Sequence, residues 1–100
     1  MSFEEKGRGE EQLNAKKVED EFKITARRNK LLGLWLAEIF GIADAAEYAK
    51  SVVIADLDEP GDEDVIRKVM KDIAEYNAEI SEDDIRAKLT EFMAKAKTEI

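Results

Sequence analysis

The chain has 100 residues, 40% of them charged, and a net charge of -8. That is the length of one small domain, and the absence of cysteine and histidine removes disulfides, thiolate metal sites and the commonest general base. So acidic a chain is repelled by phosphate backbones, which argues against nucleic acid unless a basic stripe gathers somewhere.

Charge and hydropathy both change near residue 30. Residues 1–30 hold eight Lys/Arg and seven Asp/Glu, whereas residues 31–100 hold eight and seventeen. Large apolar residues before that point are Met1, Phe3, Leu13, Val18, Phe22 and Ile24; 25 follow it. Residues 1–20 mix both charges around Gly7 and Gly9. They carry too little apolar surface to offset the entropy of ordering, and read as a flexible amino-terminal arm. The opening MSFEEKGRGEEQ lacks the apolar region of a secretory signal, which points to the cytoplasm.

The first firm helix is predicted to start between residues 16 and 20 and to run to Phe40, with Gly41 as its stop. Ile24, Leu31, Leu32, Trp35, Leu36, Ile39 and Phe40 begin on one face and then spread around the axis, the pattern of a central bundle helix. Gly33 costs about 1 kcal/mol against alanine there, and reads as a place where another helix comes close. The apolar run from 31 to 43 is broken by Glu38 and falls short of the ~20 residues a membrane span requires.

A second helix is predicted over 43–56, with Ala45, Ala46, Ala49, Val52 and Val53 at helical spacing. An acidic turn, DLDEPGDED, follows at 56–64. A third helix over about 62–77 carries Val65, Ile66, Val69, Met70 and Ile73 on one stripe, with acids in its first turn. Ser81 and Asp84 announce the fourth in near capping-box form, and Ile85, Leu89, Phe92, Met93 and Ala96 line it. The fold class is all-α: a four-helix domain over 21–100 behind an arm over 1–20.

Few constellations carry chemistry. DLDEPGDEDVIR (56–67) has the length of an EF-hand loop, with acids at positions 1, 3, 7 and 9 and Gly61 at 6. Position 5 is Pro60, and Arg67 stands where a bidentate glutamate is required, so an acidic turn and helix cap is the better reading. Glu82, Asp83 and Asp84 lie at a helix start, where acids are stabilising. Tyr48 and Tyr76 read as half-buried packing residues. GRGEEQ lacks the lysine and the spacing of a phosphate-binding loop. The basic cluster Arg27, Arg28 and Lys30 has two readings: a solvated helix face, or a contact for an acidic partner beside the arm.

FKITARRNKLLGLWLAE (22–38) resembles the zeta subunits, the ATPase inhibitors of alphaproteobacterial F1Fo-ATP synthase. RRNKLLGLW (27–35) is similar to that family's central signature, and YAK (48–50), GDEDV (61–65) and IRAKL (85–89) follow in order. The resemblance spans roughly residues 22 to 97. It implies a non-enzymatic regulator, monomeric when free, without cofactor, metal or membrane insertion, acting at the cytoplasmic face of the inner membrane. Its partners would be the alpha, beta and gamma subunits of the F1 head, where the arm becomes helical at a catalytic interface and stops ATP hydrolysis. Carried over by position, the arm's contacts would be Phe3, Lys6, Arg8, Glu11, Leu13, Lys16 and Lys17. Phe22, Arg27, Arg28 and Lys30 complete the candidate partner-binding set. Glu10 and Asn14 stand where typical members have aromatic anchors, and Gly7 and Gly9 replace better helix formers. Those departures keep an alternative open: an F1-associated adaptor or structural subunit with weak or no inhibitory activity.

Overall fold

The computed structural model describes the backbone of residues 2–57 and 61–99, and the side chains of residues 20–57 and 61–99. Four helices follow in order: α1 (Ser2–Phe40), α2 (Ala45–Ala55), α3 (Glu63–Glu75) and α4 (Glu82–Glu99). No strand occurs among the described residues. The domain is all-α with four helices. α1 packs against α2 and α4, and α3 closes the bundle by packing against the same two.

The boundaries follow from local chemistry. α1 ends in a Schellman motif: Gly41 takes φ +73°, Ile42 N donates to Ala37 O at 2.9 Å, and Gly41 N to Glu38 O at 3.3 Å. α3 ends the same way, with Asn77 at φ +53° and Ala78 N donating to Ile73 O at 3.0 Å. Asp44 caps α2 by accepting from Glu47 N at 3.1 Å. At α4 the capping box is complete. Asp84 N donates to Ser81 Oγ at 3.1 Å, and Ser81 N donates to Asp84 Oδ2 at 3.0 Å.

One boundary departs from the sequence reading. α1 begins at Ser2 rather than between residues 16 and 20. The stretch SFEEKGRGEEQLNAKK is rich in glutamate and lysine, which are strong helix formers, and two glycines do not cancel that propensity. The side chains of residues 1–19 lie outside the described residues.

The core is Leu32 and Leu36 of α1, Val52 of α2, Val65, Ile66, Val69 and Ile73 of α3, and Ile85 and Leu89 of α4. Trp35, Phe40, Tyr48, Met70 and Phe92 pack around it, half-buried. Ile39 departs from the expected all-round burial of α1 and is 46% exposed. Small residues set the α1–α2 seam. A Cβ on Gly33 would lie 2.5 Å from the Ala49 Cα and 3.0 Å from its Cβ, so the two backbones touch where only glycine fits.

Aromatic contacts bind the end of the bundle where α1 finishes. Phe40 stacks on Tyr76 at 4.6 Å with planes 6° apart, and meets Tyr48 edge-on at 5.7 Å. Tyr48 is half-buried, as its sequence context indicated; Tyr76 is 49% exposed despite its stack. Tyr48 Oη donates to Asp72 Oδ2 at 2.7 Å, and Lys68 Nζ binds the same oxygen at 2.8 Å. Burial first, and then the hydrogen bond to Asp72, push the Tyr48 phenol well above its ordinary range.

Candidate docking surface at the root of the long helix

The RRNK run of α1 divides between two environments because successive residues sit about 100° apart around a helix. Arg28 and Asn29 turn inward and are 3% and 1% exposed. Arg27 and Lys30 stay on the outside with Phe22, Lys23 and Ala26, which lie one and two turns earlier.

The inward pair builds a polar cluster. Arg28 Nη2 and Nε donate to Asn29 Oδ1 at 2.8 and 3.0 Å, and Arg28 Nη2 pairs with Asp62 Oδ1 at 2.9 Å. Asn29 Nδ2 donates to Asp56 Oδ2 at 3.0 Å. α1 is thereby tied to both ends of the connection between α2 and α3. Asp62 occupies the N-cap position of α3 but makes no side-chain capping bond, since its carboxylate faces Arg28. Asp56 Oδ1 is buried and finds no hydrogen-bond partner among the described residues. Burial raises the Asp56 carboxyl above its ordinary value, against the lowering influence of Asn29 and Arg28.

The outward residues line an open groove of about 630 Å³: Phe22, Lys23, Ala26, Arg27 and Lys30 of α1, Val53 of α2 and Glu99 of α4. Phe22 is 60% exposed. Arg27 Nε donates to Glu99 Oε2, so the end of α4 is fastened to the same stretch of α1. Ile54 in the last turn of α2 and Leu57 just past it are 52% and 58% exposed. Around the bundle, a second cleft of about 520 Å³ is lined by Arg28, Asp62, Arg86, Leu89, Met93 and Lys97 among others. Its Arg86 is already shared between Glu82 at 3.1 Å and Glu63 at 3.2 Å.

Of the eleven candidate contacts, Phe22, Arg27 and Lys30 are brought together on this groove. Arg28 is separated from them: its guanidinium belongs to the interior cluster, so the basic run is neither one solvated face nor one contact patch. Phe3, Lys6, Arg8, Glu11, Leu13, Lys16 and Lys17 have side chains outside the described residues. Lys23, Ala26, Val53 and Glu99 were not anticipated in this role. The spacing of Phe22, Ala26 and Lys30, each four residues apart, was the signal available for Ala26; nothing in the sequence pairs Glu99 with a residue 72 positions earlier.

Among the described residues no group of three or more acidic side chains is placed to hold a metal ion. In the acidic turn, Arg67 pairs with Asp64 at 2.9 Å. Nor is any helix among the described residues long and apolar enough to cross a membrane. The groove is apolar at Phe22, Ala26 and Val53 and is rimmed by Lys23, Arg27 and Lys30.

The family described as ATPase inhibitor subunit zeta matches the chain over residues 1–99, and the chain belongs to that family. It is therefore a member of a class of regulatory subunits that inhibit an ATPase. No curated protein sequence matches the chain.

Proposed function

We propose that the chain binds the F1 head of ATP synthase and inhibits ATP hydrolysis by inserting residues 1–20 at a catalytic interface among the alpha, beta and gamma subunits. The observation that carries this reading is the family match, which spans the leading segment as well as the bundle. The segment over 21–100 acts as the holding domain. Once it is docked, the leading segment competes for its site intramolecularly, at high effective concentration. Phe3, Lys6, Arg8, Glu11, Leu13, Lys16 and Lys17 are its contacts. The protein is monomeric when free and works at the cytoplasmic face of the inner membrane.

A second reading has its own support in Gly7 and Gly9. If those residues fold only on binding, two glycines cost about 2 kcal/mol relative to alanine, a loss of roughly thirtyfold in affinity. Glu10 and Asn14 also stand where the family resemblance implies aromatic anchors. On this reading the protein stays bound to F1 as an adaptor with little braking. ATP hydrolysis by the cognate F1 particle, titrated with the full chain and with a version lacking residues 1–20, separates the two. Inhibition lost on truncation supports the inserted segment. Binding without inhibition by either version assigns the adaptor role.

A further inference from the structure

Resting on the F1-binding reading above, we propose that the groove between Phe22, Lys30 and Val53 is where the bundle docks, and that its occupant is an acidic amphipathic helix of the F1 head.

Three observations converge on it. Phe22, Ile54 and Leu57 are the three most exposed large apolar residues among those described, and they belong to the groove or to the neighbouring end of α2. The groove's lining has three cations, Lys23, Arg27 and Lys30, to the one acid Glu99, which Arg27 already holds; Lys30 stands exposed on the rim with no ion-pair partner among the described residues, in a chain of net charge -8. That reversal of sign over an apolar floor selects a partner with apolar residues flanked by acids. Phe22, Ala26 and Lys30 form one ladder along α1 spanning about 12 Å, roughly two turns of an opposing helix. Helix-in-groove recognition uses anchors at that spacing. The acidity of the chain as a whole sets it against an anionic lipid surface.

The test uses the full chain and the cognate F1 particle, with affinities measured at low and high salt for the parent, Phe22→Ser/Lys30→Glu, Lys30→Glu and Lys30→Arg. Matching far-ultraviolet circular dichroism establishes that the variants are folded. The double variant is expected to bind about tenfold to a hundredfold more weakly. Lys30→Glu should lose most of its deficit at high salt, and Lys30→Arg should bind like the parent. Equal affinity of parent and double variant overturns the groove while leaving F1 binding intact. If the parent does not bind F1, the reading on which the groove rests fails with it. Two further results would give the groove another occupant and overturn the proposal: a parent dimer that Lys30→Glu converts to monomer, or capture by phosphatidylserine vesicles that Lys30→Glu abolishes.

Discussion

Replacing Gly33 by alanine sets two effects of known sign against each other. In an isolated helix the change stabilises by about 1 kcal/mol, because alanine loses less backbone entropy on folding. In this bundle the new Cβ lies 2.5 Å from the Ala49 Cα, 3.0 Å from the Ala49 Cβ and 3.3 Å from Val52 Cγ2. Carbon atoms prefer about 3.5–4.0 Å, so α2 must retreat by roughly 1 Å. The nearest atom is backbone, and no rotamer change relieves it. Ala49 and Val52 are both 0% exposed, so the retreat opens the core along the seam. Overpacking of this kind costs about 1–3 kcal/mol, and a backbone contact belongs at the upper end. The net expectation is a loss of about 2 kcal/mol, or a fall in Tm of roughly 10 °C for a domain of this size. Urea denaturation followed by circular dichroism measures it. Adding Ala49→Gly should restore only part of the loss, since the Ala49 Cα remains in the way. A Gly33→Ala protein as stable as the parent would refute the reasoning, because propensity would then outweigh the contact.

Other expectations follow from the polar groups. Tyr48→Phe should cost about 1–2 kcal/mol at neutral pH through the lost bond to Asp72. Because folding raises the Tyr48 pKa above 10.0, its contribution is complete below pH 10 and is lost as pH rises further; denaturation at pH 7 and pH 11 should show a shallower decline for the variant. Asp56 has the same direction of shift from an ordinary value of 3.8, so its ionised form is a cost that grows as pH rises between 3.8 and the raised value. Asp56→Asn should flatten that window and change stability at pH 7 by no more than about 1 kcal/mol. Arg28→Met, which strips the cluster of its cation but leaves Asp62 half-exposed to water, should cost about 1–2 kcal/mol in the same urea titration. Ser81→Ala should remove half the capping box of α4 for about 1 kcal/mol, seen as a lowered Tm.

Much of this architecture can be read locally. Gly41 as a stop, the 65–66–69–73 stripe of α3 and the Ser81–Asp84 cap are each decided within one or two turns of chain, and the structure has them where the sequence pattern indicates. Asn77 carries a similar signal, since asparagine tolerates positive φ; the end expected near residue 77 falls on it, two residues past the last helical residue Glu75. Gly33 marked a close approach without saying to what; Ala49, sixteen residues later, is the answer. The division of RRNK into inward and outward halves was not legible. The partners of Arg28 and Asn29 are Asp62 and Asp56, at a distance along the chain where no periodicity operates, and in a row of cations Arg28 looks like its neighbours. Asp62 was equally opaque, because an acid before a helix is sufficiently explained by the helix dipole. The start of α1 at Ser2 has no sharp signal in the sequence, because Gly7, Gly9 and weak periodicity stand against the helix propensity of the glutamates and lysines around them.

The Arg27–Glu99 pair has a practical corollary for anyone attaching a probe to this protein. It puts the carboxy-terminal end of α4 beside the groove at the root of α1, on the flank opposed to the Phe40–Tyr76 stack. A dye, affinity tag or fused protein attached beyond Glu99 therefore stands beside the groove, and on the docking proposed above it would weaken binding with no change to the sequence. The turn at Asn77–Glu79 is exposed at Asn77 and Glu79 and lies at the far end of the bundle, next to that stack. Reporters belong there.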